Sequence, residues 1–166
     1  MKNIVTLSLS LLIMAGCSSF NGTDSGVIYS YQRDLTTLRT HISQKDIDVQ
    51  WVKEESLSLM DQAIPLLESF ALKYPDCREL IETVISKREG MLEMELVDIE
   101  RLYHEGEALP EAKLLCYNPK ELIVHPATVY LLTLDNKVEK PLMSMRAELE
   151  ELDLHFNLFR EDLLRN

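Results

Sequence analysis

Histidine and carboxylate side chains are the residues of this chain whose chemistry suits a metal ion. His104 and Glu105 come at the end of a long helical pattern, and His125 lies in an irregular segment further along. Neutral imidazole and carboxylate are ligands that zinc and copper accept. No two histidines are three or four residues apart, so the spacing does not put two imidazoles on one helical face. We therefore predict no bound metal or other cofactor, and His104 and His125 are the candidate ligands if one binds.

The sequence patterns of common enzyme classes are missing. The chain contains no GxSxG, P-loop, GxGxxG, HExxH or CxxCH motif, and these are the spacings that position nucleophiles, phosphates, zinc and haem. The sequence therefore favours a protein that is not an enzyme. One alternative is a hydrolase with an unfamiliar site, in which His125 acts as the base together with Glu121 or Glu105.

The first 17 residues have the features of an export signal. A short basic start with Lys2 precedes a mostly apolar run, residues 4–15, which is too short to span a bilayer. The run ends in Met-Ala-Gly-Cys at residues 14–17 and resembles the lipobox of bacterial lipoproteins. That resemblance implies lipid on Cys17 and cleavage before it, whereas the alternatives are an ordinary secretory signal with a chance cysteine and an uncleaved apolar anchor. By resemblance to enterobacterial sorting rules, Ser18 in place of Asp after the cysteine implies the periplasmic face of the outer membrane rather than retention at the inner one.

Charge limits how the exported chain can meet its surroundings. The full chain carries a formal charge of −11, and removing residues 1–16 removes one lysine and no acid, which leaves −12 on residues 17–166. Such a surface repels nucleic acid and anionic lipid. We therefore expect the acyl chains on Cys17, rather than the protein surface, to hold the protein at the membrane.

The rest of the chain predicts an all-α domain. Residues 17–26 are small and polar and indicate a flexible tether, and residues 27–166 form one domain of ordinary size. Apolar residues recur there at steps of three and four, the period of a helix with one buried face. Four such stripes predict a four-helix bundle: Ile28, Tyr31, Leu35, Leu38, Ile42; Val49, Val52, Ser56, Leu59, Ala63, Leu66, Phe70; Ile81, Ile85, Leu92, Leu96, Ile99, Tyr103; and Leu142, Met145, Leu149, Leu152, Phe156, Phe159, Leu163.

A long irregular segment, residues 106–140, separates the third and last long helices in this prediction. The third helix runs from Pro75 to about Gly106 and continues unbroken through Gly90. Residues 107–120 contain two prolines and no periodicity, which predicts a loop. Residues 121–134 are apolar and could form a short buried helix or two short strands, and we favour the helix because isolated strands have no sheet to join.

Two cysteines remain after Cys17, and we expect Cys77 and Cys116 to pair in an oxidising periplasm; two buried free thiols are the alternative. An unbroken helix from Cys77 to His104 would be roughly 40 Å long. The twelve residues from His104 to Cys116 reach at most about 43 Å. The disulfide therefore requires either a nearly straight strap over residues 105–116 or a break of the third helix near Gly90.

These features together predict a non-enzymatic lipoprotein of the outer membrane that binds or escorts another envelope protein. In architecture alone it is similar to the small α-helical pilotin lipoproteins that escort secretins, although it has no sequence motif of theirs. The partner surface is expected on residues 106–125 or on an acidic helix face, such as residues 148–151. The alternatives are a periplasmic carrier of a metal or small ligand and the hydrolase described above.

Overall fold

The computed structural model describes residues 22–134 and 140–165, and Cys17 lies outside these ranges. All regular secondary structure among the described residues is helical, with no strand among them. The helices are α1 Gly22–Ile42, α2 Val49–Lys73, α3 Arg78–Met91, α4 Leu96–Ile99, α5 Tyr117–Leu134 and α6 Pro141–Leu164, with 3₁₀ turns at Pro75–Cys77 and Leu114–Cys116 and a π-helical turn at Glu100–His104 that continues α4.

Periodic apolar residues form the core as the sequence predicts. The five stripe residues of α1 and the six stripe residues of α6 from Met145 onward are buried. Burial of such stripes is what stabilises helices of this length in water, since their intrinsic propensity alone is marginal. The first helix begins earlier than expected, because residues 22–26, predicted as part of the tether, are helical.

Long basic side chains join the helix ends. The ammonium group of Lys73, in the last turn of α2, donates to the carbonyl oxygens of Asp162 and Leu163 at 3.1 and 2.8 Å. The guanidinium of Arg146 donates twice to the carbonyl of Ile42, at 3.1 and 2.9 Å. The last carbonyls of a helix lack partners within it and carry partial negative charge. These two cations therefore stabilise the ends of α6 and α1 and fix them to neighbouring helices.

The prediction of an unbroken third helix is wrong. Helix α3 ends at Met91, and the chain resumes as α4 at Leu96 after a tight turn in which the amide of Leu92 donates to the carbonyls of Glu89 and Gly90. Glycine costs about 1 kcal/mol within a helix relative to alanine, and apolar periodicity does not require a continuous backbone. Met91, Ile99 and Tyr103 are nevertheless buried, so the stripe persists across the break.

The break brings the two cysteines together. Cys77, at the start of α3, and Cys116, just before α5, form a disulfide with a Cα separation of 5.1 Å, and both are buried. Of the two routes that the chain lengths allow, the molecule uses the helix break. The strap over residues 105–116 is therefore free to curve, and hydrogen bonds from the amides of Glu107 and Ala108 to the carbonyls of Arg101 and Leu102 fold it back.

Helix α5 is the central helix of the described fold. The preference for helix over strands in residues 121–134 is confirmed, and the helix also includes residues 117–120, which were predicted as loop. Residues 119–129 are all buried, and α5 contacts α2, α3 and α6. A helix enclosed on all sides has no polar face, and this explains why its sequence has no clear period.

Membrane crossing is not a property of the described helices: none combines the length and the apolar character that a bilayer span requires.

Candidate metal centre

Polar groups interrupt the apolar surface of α5 near its start. Lys120, Glu121 and His125 are 1, 6 and 1% exposed, and they face other polar side chains within the protein. Glu121 and His125 are four residues apart, so both side chains lie on the same side of α5. Buried charged groups are rare and need partners, so the neighbours of these residues decide what the site can do.

His104 and Glu148 complete the cluster from two other segments. His104 ends the π-helical turn after α4, and Glu148 lies on the inner edge of α6, beside the buried Leu149. Their side chains are 12 and 21% exposed. The centroids of the His104 and His125 imidazole rings lie 4.6 Å apart, so the two rings are direct neighbours.

The carboxylate of Glu148 faces one nitrogen of each imidazole. Its Oε2 atom lies 2.8 Å from Nδ1 of His125 and 3.7 Å from Nε2 of His104. Ligand atoms of the three residues all lie within 4.8 Å of one another. Tetrahedral zinc with bonds of 2.0–2.2 Å separates its ligand atoms by about 3.3–3.5 Å. The three residues are therefore spaced as metal ligands are, within small rotamer adjustments.

The carboxylate of Glu121 faces the other nitrogen of each imidazole. Its Oε2 atom lies 3.2 Å from Nδ1 of His104 and 3.7 Å from Nε2 of His125. Neither Glu121 Oε2 nor His125 Nε2 makes a hydrogen bond of good geometry, although both atoms are buried. Buried polar atoms without such bonds are uncommon, and here both lie on the side of the imidazole pair that faces Glu121.

Lys120 lies beside Glu121 and the backbone of His104. Its ammonium group forms an ion pair with Oε1 of Glu121 and donates to the carbonyl oxygen of His104 at 3.1 Å. The same lysine thus fixes the carboxylate of one cluster member and the backbone of another. Because it is 1% exposed, its charge is screened little by water and acts strongly on the cluster.

Charge and burial oppose each other in the pKa values. Burial tends to raise the pKa of Glu121, but the close contact with His104 and the positive charges of Lys120, His104 and His125 bring it down to about 2. Burial tends to lower the pKa of His104, but the close contact with Glu121 and the charges of Glu121 and Glu148 raise it above its ordinary value. The cluster therefore stabilises positive charge between the two carboxylates.

Two more side chains border the cluster. The hydroxyl of Thr128 donates to the carbonyl of Val124, and its oxygen lies 3.2 Å from Nε2 of His104. The ring of His155 stacks on His125 at 5.4 Å and its Nδ1 contacts Asn118 Oδ1 at 2.9 Å. Burial lowers the pKa of His155. His155 is therefore suited to pack against the site as a neutral ring.

Both histidines that the sequence marks as candidates belong to this cluster. Glu121, named for the hydrolase alternative, joins them, whereas Glu105 is exposed at the surface. A His125–Glu121 pair does exist, but His125 is 1% exposed, so a substrate in solution does not reach it directly.

Sequence reasoning missed Glu148 and Lys120. Glu148 belongs to the acidic run 148–151, which is most simply a solvated helix face, and only its position next to the core residue Leu149 indicates that it turns inward. The spacing of Glu121 and His125 was a usable signal, because a carboxylate and an imidazole at four residues can chelate one ion just as two imidazoles can.

Comparisons of the chain with models of protein families, with curated proteins and with solved structures found no match.

Proposed function

We propose that this chain is a lipid-anchored protein of the bacterial envelope whose helical domain binds a divalent transition-metal ion. The ligands are Nε2 of His104, Nδ1 of His125 and the carboxylate of Glu148. The observation that carries the proposal is the convergence of these three groups inside the protein, with ligand atoms within 4.8 Å of one another.

An outer carboxylate supports a metal rather than a simple ion-pair network. Histidines that bind metals usually donate their second ring N–H to a carboxylate or carbonyl, which orients the ring. Here Glu121 Oε2 lies 3.2 and 3.7 Å from the second nitrogens of both histidines. The carboxylate of Glu121 is buried and paired with Lys120, so it is held in the position of such an outer partner.

The kind of ligand indicates the class of metal. Two imidazoles and one carboxylate suit Zn²⁺, Fe²⁺, Co²⁺, Ni²⁺ and Cu²⁺, whereas Cu⁺ and iron–sulfur clusters prefer thiolates. The two described cysteines are joined as a disulfide and offer no thiolate. Three protein ligands leave a coordination position for water or an exogenous ligand, as in exchangeable zinc sites rather than closed structural ones.

Metal analysis of untagged protein, extracted from membranes in detergent, tests the proposal. We expect about one transition-metal ion per chain, and a titration of the chelator-treated protein with Co²⁺ that saturates at the same ratio. His125→Gln should lower the affinity by more than about 100-fold, since loss of an outer partner alone costs 10–100-fold. His41→Gln, a histidine outside the cluster that accepts a hydrogen bond from the amide of Asp48, is the matched control. Failure of wild-type protein to bind any of these ions at stoichiometric levels would overturn the proposal.

We also propose that four of the helices form the predicted four-helix bundle, with α5 in the place expected for the third helix. Helix α1 contacts α2 and α6, and α5 contacts α2 and α6 as well, so these four helices form a closed ring of neighbours. Helix α3 packs on α2 and α5 outside that ring.

Binding of another envelope protein, the first expectation from sequence, stays a prediction with one supporting observation. A groove of about 550 Å³ lies between α2 and α3, and Leu72 on its edge is 74% exposed. The exposed carboxylates of Glu68 and Glu82 line it together with the exposed guanidinium of Arg78. The net charge of the lining is therefore negative, and a basic amphipathic segment is the partner chemistry that fits. Leu72→Lys should abolish capture of a cross-linked basic partner from the envelope, because it removes apolar contact and adds a like charge, whereas Leu154→Lys on α6 should not. Equal capture by both variants would argue against this groove.

A further inference from the structure

The pair of imidazoles in the metal centre has two faces, and a carboxylate lies at each of them. On one face Glu148 Oε2 lies 2.8 and 3.7 Å from His125 Nδ1 and His104 Nε2. On the other, Glu121 Oε2 lies 3.2 and 3.7 Å from His104 Nδ1 and His125 Nε2. Each carboxylate thus faces one nitrogen of both rings, and the set with Glu148 has all three ligand atoms within 4.8 Å of one another.

An ammonium group distinguishes the two faces. Lys120 lies on the Glu121 face, pairs with Oε1 of that carboxylate and is 1% exposed. A buried cation repels a second cation strongly, because the protein interior screens charge far less than water does. The ion pair with Lys120 also holds Oε1 of Glu121 away from a metal ion. The Glu148 face is more open to solvent, with the carboxylate side chain 21% exposed.

We propose that Lys120 is the residue that determines which face of the imidazole pair binds the metal. This inference rests on the proposed metal-binding function. Lys120 excludes the ion from the Glu121 face, so that Glu121 stays an outer partner that accepts the N–H groups of both rings. The ion is then bound by Nε2 of His104, Nδ1 of His125 and the carboxylate of Glu148.

Lys120 also limits the number of protein ligands. With Glu121 engaged by the lysine, the ion keeps three protein ligands and an open position. The carbonyl of His104 accepts a hydrogen bond from the same ammonium group, so the lysine positions His104 as well. Lys120 is a positioning residue in this scheme and does not touch the ion.

Identification of the coordinating nitrogens tests the inference in the wild-type protein. Full-length protein with ¹⁵N-labelled histidine is loaded with Zn²⁺ and examined by long-range ¹H–¹⁵N correlation spectra, which distinguish metal-bound, protonated and bare ring nitrogens. We expect zinc on Nε2 of His104 and Nδ1 of His125, and protons on the opposite nitrogens. Zinc on Nδ1 of His104 and Nε2 of His125 would overturn the inference and leave metal binding itself intact.

Removal of the ammonium group gives the second test. In Lys120→Met we expect the bound nitrogens to exchange, with zinc on Nδ1 of His104 and Nε2 of His125. Lys113→Met, which removes an exposed lysine paired with Asp76, is the matched control and should keep the wild-type pattern. Circular dichroism checks that each variant is folded.

Carboxylate variants provide a readout that does not depend on spectra. In wild-type protein Glu148→Gln should lower the Co²⁺ affinity by more than about 100-fold and Glu121→Gln by about 10–100-fold. In the Lys120→Met background Glu121→Gln should lower the Co²⁺ affinity more than Glu148→Gln does. An unchanged order in folded double variants would overturn the inference. If the single lysine variant does not fold, Lys120→Met combined with Glu121→Gln removes the buried pair together, and zinc should then stay on the wild-type nitrogens; exchanged nitrogens there would contradict the role of Glu121.

Discussion

The hydroxyl of Tyr31 on α1 donates a 3.0 Å hydrogen bond to the main-chain carbonyl of Leu122 on α5. In a regular helix that carbonyl would accept from the amide four residues later, which is Pro126 here and has no N–H. Both side chains are fully buried. Tyr31 thus supplies the hydrogen bond that Pro126 removes from the central helix. Helix α5 continues beyond Pro126 to Leu134.

Replacing Tyr31 by Phe should therefore destabilise the domain by about 1–3 kcal/mol, because the carbonyl of Leu122 is left buried without a donor. Tyr29→Phe, at a side chain that is 68% exposed, should change the free energy of unfolding by less than about 0.5 kcal/mol. Chemical denaturation measures both. In a Pro126→Ala background the cost of Tyr31→Phe should shrink, since an alanine amide can serve the same carbonyl; an undiminished cost would contradict this role.

Alkaline pH should reveal the burial of Tyr31. Burial raises the pKa of its hydroxyl well above the ordinary value of 10. Below about pH 10 the folded and unfolded chains both hold this proton, so stability does not depend on it. Above that pH the unfolded chain loses the proton first, and stability falls as pH rises. Denaturation curves from pH 9 to 11 should show a shallower loss for Tyr31→Phe than for wild type; equal slopes would count against the prediction.

Helix α6 offers a matched pair of leucines for testing the core. Leu152 is fully buried and Leu154, two residues later, is 59% exposed. Leu152→Ala should cost about 2–5 kcal/mol through lost burial and a residual cavity, whereas Leu154→Ala should cost less than about 0.5 kcal/mol. Comparable costs from urea denaturation would mean that α6 does not pack as described.

The disulfide between Cys77 and Cys116 closes a loop of 39 residues. The chain-entropy model gives roughly 3–4 kcal/mol for a loop of this size. The double Ser variant should therefore lose about that much stability at equilibrium, and wild-type protein unfolded without reductant should show no reactive thiol at either position. A double variant as stable as wild type would indicate that the link contributes little.

Lipid attachment is tested by labelling cells with a fatty-acid analogue. Cys17→Ser should abolish the label and leave the precursor uncut, because the thiol is the proposed site of acylation. Ser18→Asp should keep the label and move the protein from the outer to the inner membrane fraction. Undiminished labelling of Cys17→Ser, with unchanged fractionation, would refute the lipoprotein proposal.

Regular spacing allowed most of the fold to be predicted. The stripes through Leu35, Phe70 and Leu152 gave α1, α2 and α6, because each of these helices has one buried and one exposed face. The end of α3 at Met91 could not be found this way, since Met91 and Ile99 are buried on both sides of the break. Only the distance limit set by Cys77 and Cys116 indicated it.

Contacts between distant helices explain what was missed at the metal centre. His104 and His125 were visible as candidates by type alone. Glu148 became part of the cluster because α6 packs on α5, and Lys120 was predicted to lie in a loop, where a charge is unremarkable. Burial at 1% leaves the charge of that lysine little screened by water, and no local pattern of the sequence reports burial at such a position.

The central position of α5 has a consequence for how the domain is assembled. Synthesis proceeds from the N-terminus, so α1, α2 and α3 are made before the helix that packs against α2 and α3. The core of the described fold is therefore incomplete until Tyr117–Leu134 is present, and Cys116, the partner of Cys77, is the residue just before that helix. Formation of the disulfide and closure of the core thus both depend on the same short stretch of chain.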